Sequence, residues 1–551
     1  MNQTAVAYIV ALAALAALAA ALPAARRRLQ LSFAKHPSLA GHSKMARRVA
    51  AWVPGYAYDV ARFFNADGAS AETEARRRAG FRRLCETFDS RFARSAALTA
   101  RARESLSDLQ FTSAYRVPFQ FSPYVREHLK LGSFLQASDG VTVTDLDGNV
   151  FYDLTGSYGL NVFGYDFYKE CIAEGAALVE RLGPVLGAYH PCVAANVERL
   201  REISGLDEVS FHMSGTEAVM QAVRLARYHT RRSHIVRFAG AYHGWWDDVQ
   251  PGPGNPLAPR ATYSLKEMDA GTLRVLATRR DIACVLVNPL QALHPNASPP
   301  ADSSLVDSSR RAGFDRAAYG RWLGELRRVC SARGIVLFFD EVMVGFRLAP
   351  GGAQEYFGVK ADLVTYGKTL GGGLPVGVLC GRRELMRRFR DDRPADVCFA
   401  RGTFNSHPYV MAAMHAFLRR LETPEVRAAY DGLDERWNGR AARLNSMLAE
   451  SELPVRVANL SSIWTILYTV PSRYNWMLQF YLRAEGLLLT WIGSGRLIFT
   501  IDLPHSEFDE VCRRFVAAAT AMRADGWWDA PAPSNKAIRR GLLLEMLLQR
   551  V

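Results

Sequence analysis

Five apolar residues, Ile335 to Phe339, run without interruption into an acid, Asp340. A run this short, unbroken and rich in β-branched and aromatic side chains reads as a strand buried on both faces. Such strands belong to parallel sheets covered by helices, so this one stretch predicts an α/β fold. It also places Asp340 at a strand's carboxyl end, the edge where open α/β sheets hold their ligands. A second short strand, Leu363 to Tyr366, delivers Lys368 to the same edge, followed by the triplet Gly371, Gly372 and Gly373.

An amine in a glycine-lined turn beside a buried carboxylate suits Schiff-base chemistry. The amine holds an aldehyde cofactor, and the acid keeps the cofactor's ring nitrogen protonated. Asp340-Glu341 after a strand also fits nucleotide hydrolysis, but Gly367-Lys368-Thr369 lacks the upstream glycine of GxxxxGK[ST]. Two further strand ends bear on the choice. Val209 to Met213 leads into Ser214, Gly215 and Thr216 and then a helical stretch, Glu217 to Arg227. N–H groups at a helix start attract an anion, and with a cofactor lysine downstream these three residues read as a phosphate cup rather than a simple cap. Ile235 to Phe238 ends in Ala239 to Gly244, where Tyr242 is placed to stack on a planar ring; His243 reads as a structural histidine bonded to backbone.

The N-terminus is of another kind. Ala5 to Ala25 carries no charge and is long enough for one bilayer crossing of about twenty residues, and Arg26, Arg27 and Arg28 follow at once. That order predicts a membrane anchor with the arginines and the catalytic body on the cytoplasmic side. From Arg26 to Arg103 there are 17 Lys and Arg against 6 Asp and Glu, so this segment holds 11 of the chain's net +14. Anionic headgroups are the expected partner of such a segment, and no nucleic-acid motif accompanies it. Phe81, Leu84, Phe88 and Phe92 recur at helical spacing, predicting an amphipathic helical appendage over Glu74 to Phe92. The eight cysteines form no CxxC pair, which suggests neither a disulfide framework nor a zinc site.

Five motifs in order, SGTEAVMQAVRLAR, AYHG, FFDEVMVGFR, TYGKTLGGGLPVG and GTFNSHP, resemble the signatures of class III pyridoxal-phosphate aminotransferases, the group that includes glutamate-1-semialdehyde aminomutase. The resemblance covers roughly Phe111 to Ala530. It implies pyridoxal 5'-phosphate as cofactor and a fold of the aspartate-aminotransferase type (fold type I): a large α/β/α domain and a smaller α+β domain built from both chain ends. By resemblance Lys368 is the lysine that takes the cofactor aldehyde and shuttles a proton, and Asp340 pairs with the ring nitrogen. Tyr242 and Val342 sandwich the ring, Gly215 and Thr216 with Ser214 hold the phosphate, and Thr403 reaches the phosphate across a homodimer interface. Asn288-Pro289 departs from the Glu-Pro of many relatives. Gln291 and the Gly402, Thr403, Phe404, His407, Pro408 arrangement resemble the branch found in polyketide and peptide assembly lines, which implies a hydrophobic or carrier-bound acyl acceptor.

The expected division is an anchor at 1–25, a basic appendage at 26–110, a first part of the small domain at 111–175, a large cofactor domain at 176–405, a C-terminal small domain at 406–530 and an amphipathic tail at 531–551. The expected reaction is amine transfer from a small-molecule donor to a carbonyl acceptor. The alternatives are an intramolecular aminomutase and an inactive membrane scaffold of the same fold. Arg347 is expected to serve structure ahead of substrate binding, with Glu341 as one partner, and Trp491 to pack in the core. No metal is expected.

Overall fold

The computed structural model describes residues 3–257, 261–293, 306, 308–490, 495–529 and 534–549. The segment Ser298 to Asp315, whose Ser, Pro and Asp content predicts a surface loop, lies partly outside these residues, and Trp491 lies outside them altogether.

A seven-stranded sheet carries the fold: β1 (Glu208–His212), β2 (His234–Phe238), β3 (Thr262–Leu265), β4 (Ile282–Val287), β5 (Val336–Asp340), β6 (Leu363–Gly367) and β7 (Gly377–Gly381). Its spatial order is β1-β7-β6-β5-β4-β2-β3. Strands β6 through β3 are parallel, and β7 runs against both β6 and β1. Every residue of β4, β5, β6 and β7 is buried, as the continuous apolar runs require. Gly377 opens β7 opposite His212 of β1 on one side and Gly367 of β6 on the other.

Two smaller sheets flank it. Alternating apolar residues around Asp147, Gly148 and Asn149 predict a hairpin over Val141 to Asp153; it is present as Thr142–Asp145 against Val150–Asp153, and the latter pairs in parallel with Leu487–Leu488 from far along the chain. A three-stranded sheet joins Val455–Leu460, Ile463–Tyr468 and Arg496–Ile498.

The appendage is part of the fold. Helix α1 (Gln3–Ala34) ends against the outermost strand, where the Lys266 N–H donates to the Ala34 carbonyl at 2.9 Å and Lys35 bridges Leu265. This covers a sheet edge that would otherwise offer unpaired backbone groups. Helix α2 (Ala71–Arg91) is capped by Ser70 and buries Phe81, Leu84 and Phe88 on one face, as their spacing predicts. On that face Arg77 is fully buried. It pairs with Asp67 at 2.7 Å, donates to the carbonyls of Gly526 and Phe64, and lies 4.5 Å from the Tyr474 ring. Helix α3 (Ala93–Arg103) and α4 (Ser122–His128) continue toward the body. The C-terminal helix, Asn535–Leu548, also packs on the protein: its Glu545 receives Tyr58, Arg62 and Arg473.

The expected anchor, Ala5 to Ala25, falls inside α1. Among the described residues no helix is long and apolar enough to cross a membrane, so the expectation of a spanning segment is not supported. Tyr8, Leu12, Leu15 and Leu22 are exposed.

Candidate active site

Neighbouring strands β5 and β6 set the site, with Asp340 in register with Thr365. Asp340 is 4 % exposed, and its carboxylate is held from three sides. Oδ2 faces Nδ1 of His243 at 2.8 Å, while Oδ1 accepts the Val342 N–H at 3.2 Å and the Thr365 hydroxyl at 3.3 Å. An ionised carboxylate only accepts, so the ring proton of His243 resides on Nδ1. His243 Nε2 is buried with no partner. The expectation of a backbone-bonded histidine is thereby corrected: its partner is the acid itself.

Lys368 opens the turn after β6 at a φ of 49°, in the left-handed region that side chains disfavour. Its Nζ donates to the Tyr158 carbonyl at 2.5 Å and lies 3.7 Å from the Met343 sulfur. Tyr158 is itself at a φ of 57°, so donor and acceptor are both held in sparsely populated backbone. Burial pushes the Lys368 ammonium down to about 8; the Asp340 charge opposes that fall, and the Arg347 and Arg496 charges add to it. About a tenth of the amine is therefore neutral at pH 7 and about half at pH 8, and the neutral amine is the nucleophilic form.

Across β7, a sixteen-residue helix, α5 (Gly215–Thr230), starts at the expected anion cup. Ser214 does cap it: its Oγ accepts the Glu217 N–H at 3.2 Å, and the Glu217 carboxylate accepts the Met213 N–H at 2.9 Å. The Glu217 N–H engages the acceptor side of the Ser214 hydroxyl and leaves its proton to donate, while the Glu217 carboxylate reaches one residue past the cap to Met213. A Cβ on Gly215 would stand 2.9 Å from both methyls of Val342, and one on Gly244 would stand 2.6 Å from the Thr216 hydroxyl. These glycines let Gly215, Thr216, Val342 and the His243 loop crowd together at the edge that holds Asp340.

Tyr242 is 59 % exposed, beside the buried His243. Its carbonyl accepts from Asn288 Nδ2 at 3.1 Å, and Asn288 Oδ1 accepts the Leu290 N–H at 3.1 Å. The asparagine that departs from the Glu-Pro pattern thus tethers the Tyr242 loop to the end of β4, a contact that needs an amide donor. Thr403 is exposed in a turn and makes no hydrogen bond to the other predicted residues among those described.

Arg347 is fully buried and bonded for structure, as expected, though not to Glu341. It donates to Ser462 Oγ at 2.8 Å and to the carbonyls of Asn161 and Phe499, joining the β5 end to the three-stranded sheet. Glu341 instead caps a backbone turn, accepting the N–H groups of Ala353 at 2.6 Å and Gln354 at 3.2 Å. Burial without a neutralising acid pushes the Arg347 guanidinium down. Sequence reasoning missed the Tyr158 carbonyl, Met343 and the Asn288 tether. The doublet of tight glycines at Gly156 and Gly159 was the available signal for the first.

Residues 124–515 match the family described as aminotransferase class-III. A glutamate-1-semialdehyde 2,1-aminomutase of Acetivibrio thermocellus is 35% identical over 321 residues, covering 55% of this chain and 70% of its own. A protein of the same name from Geotalea daltonii is 30% identical over 405 residues, 70% of this chain and 86% of its own. A solved structure described as a transaminase with PLP bound superposes with a TM-score of 0.63 at 27% identity, over 79% of this chain and 99% of that one.

Replacing Arg347 by methionine strands two buried carbonyls and a hydroxyl, and is expected to cost about 3 kcal/mol. Thermal unfolding should show a midpoint lowered by a few degrees. Donor KM should stay within about twofold, since the guanidinium is spent on the protein. A large KM effect at unchanged midpoint would reverse this assignment.

Proposed function

The chain belongs to the class III aminotransferase family, fold type I transferases that use pyridoxal 5'-phosphate, and from that premise we propose that Lys368 and Asp340 are its catalytic pair. The reading is transfer of an amino group from a small-molecule donor to a carbonyl acceptor, in a large domain spanning 176–405 completed by a small domain from both chain ends. One observation carries it: a partly buried amine with a lowered pKa and a buried, fully hydrogen-bonded carboxylate stand on adjacent strand ends of one sheet edge.

The residues present fit the cofactor. Lys368 would take the aldehyde, Asp340 the ring nitrogen, and Tyr242 and Val342 the two ring faces. Ser214, Gly215 and Thr216 would take the phosphate. When bound, pyridoxal phosphate supplies a carbonyl that condenses with amines and a ring that accepts electron density from the carbon losing its proton. The chain's own work is narrower. Asp340, fixed by His243, Val342 and Thr365, holds a proton on its ligand rather than in solvent. Lys368 Nζ, whose pKa burial lowers to about 8, would offer a free amine more readily than an exposed lysine and would accept and return a proton at one atom. Thr403, exposed in its turn, is the residue that would serve the partner's site in a homodimer.

The names of the relatives favour a second reading, an aminomutase that shifts an amine within one substrate. We also propose that α1 associates with a bilayer surface. Exposed Tyr8, Leu12, Leu15 and Leu22 and the following Arg26, Arg27 and Arg28 support this reading.

Lys368→Ala should abolish the aldehyde-cofactor absorbance and turnover; retained turnover would sink the assignment. Stoichiometric keto acid from an added donor separates transfer from the mutase reading. Capture of pyridoxal phosphate by the apo-protein, followed by stopped-flow absorbance, should accelerate about tenfold per pH unit below 8 and level off above it. A rise continuing beyond pH 9 would mean an ordinary lysine. In flotation assays the chain should rise with anionic liposomes and the Leu12→Glu, Leu15→Glu double variant should not; failure of the unmodified chain to float removes the membrane reading.

A further inference from the structure

A second cavity-forming region shares no residue with the Lys368 site. It lies in the seam where the appendage meets the body, between α3, α4, the segment 113–117 and the helix α6 (Leu478–Ala484), and encloses about 110 Å³. Its floor is apolar, formed by the buried Val125, Leu129 and Phe480. Its other lining includes Arg103, Arg126 and Lys130, and none of the lining residues is acidic.

The three cations line one cavity. Arg103 is tied to another lining residue, Ser113, whose Oγ lies at 2.5 Å and whose carbonyl at 3.4 Å from one guanidinium nitrogen. Arg126, on α4, and Lys130, two residues beyond the end of that helix, line the same cavity from the surface. Like charges gathered around one cavity repel unless an anion joins them. In the wall, Tyr115 is 7 % exposed and its hydroxyl is buried with no partner, an omission that costs about 1–3 kcal/mol unless an acceptor arrives. Its ring stands edge-on to Phe480 at 5.4 Å, fixing the hydroxyl in place.

We propose that this cavity binds a small amphiphilic anion, with a short apolar tail on the floor and an oxyanion head, carboxylate or phosphate, on Arg103, Arg126 and Lys130. The volume, roughly four times a water's share of the liquid, suits a tail of about four to six carbons. Both heads share the chemistry an arginine fork recognises. Because the walls come from the appendage and from α6 of the body, an occupant also fastens one to the other.

The test is calorimetric titration of the full-length protein loaded with pyridoxal phosphate, using hexanoate, hexyl phosphate, 1-hexanol and inorganic phosphate. One hexanoate or hexyl phosphate should bind per chain, weakening about fivefold or more between about 50 and 300 mM NaCl. Hexanol and inorganic phosphate should each bind at least about tenfold more weakly. The stronger of the two heads separates a soluble acid from a phosphate ester as the source. Arg126→Gln with Lys130→Gln should cut affinity about tenfold or more with turnover unchanged, and Ala100→Phe, which fills the opening from an exposed position on α3, should do the same by occupying the space. Absence of binding by both anions at about 10 mM, hexanol binding as tightly as hexanoate, inorganic phosphate binding as tightly as its hexyl ester, or full affinity in both variants would each overturn the proposal.

Discussion

A carboxylate shut away from water is the demand that the rest of the site answers. Leaving an unpaired charge at 4 % exposure would cost several kcal/mol, so Asp340 is tolerated only because His243, the Val342 N–H and Thr365 converge on it. Each comes from a different place: the loop after β2, the turn after β5, and the neighbouring strand β6. The acid therefore organises three backbone segments around itself. The same dry edge that makes Asp340 expensive makes the Lys368 ammonium expensive, and burial lowers its pKa to about 8, so the amine gives up its proton more readily than an exposed lysine.

Much of this edge is legible in the sequence because it is written locally. Continuous apolar runs announce β4, β5 and β6, and Ser214 with Glu217 three residues on spells a helix start. Contacts between distant segments leave no such trace. His243 lies 97 residues from the acid it serves, and nothing near it in sequence distinguishes that partner from a backbone carbonyl. Arg347 likewise finds two acceptors 115 and 152 residues downstream and a third 186 residues upstream. Asn288 reads as a defect when the expected motif has an acid, and becomes intelligible only when its amide is seen holding the Tyr242 carbonyl.

The appendage shows the same limit from another side. Periodicity predicted helix α2 and its buried face but said nothing of what the face meets. The answer is the C-terminal part of the chain: Arg77 reaches the Gly526 carbonyl, Ala66 donates to the Tyr474 hydroxyl, and Glu545 of the last helix gathers Tyr58 and Arg62. Charge in this region is accordingly of two kinds. Arg77 is consumed in the interior, whereas Arg103 and Arg126 remain at the surface, and a count of basic residues alone merges them.

The single antiparallel strand at β7 works as a measuring rod. Gly377 touches His212 and Gly367 at once, so the segment leading to Ser214 and the one leading to Lys368 are separated by two interstrand spacings, about 10 Å. A Cβ at Gly377 would fall 1.9 Å from the Ser214 carbonyl, so even the smallest side chain would displace that end of the rod. The length of molecule that can be gripped at both ends is thus set by the repeat of the sheet, before any side chain selects its chemistry.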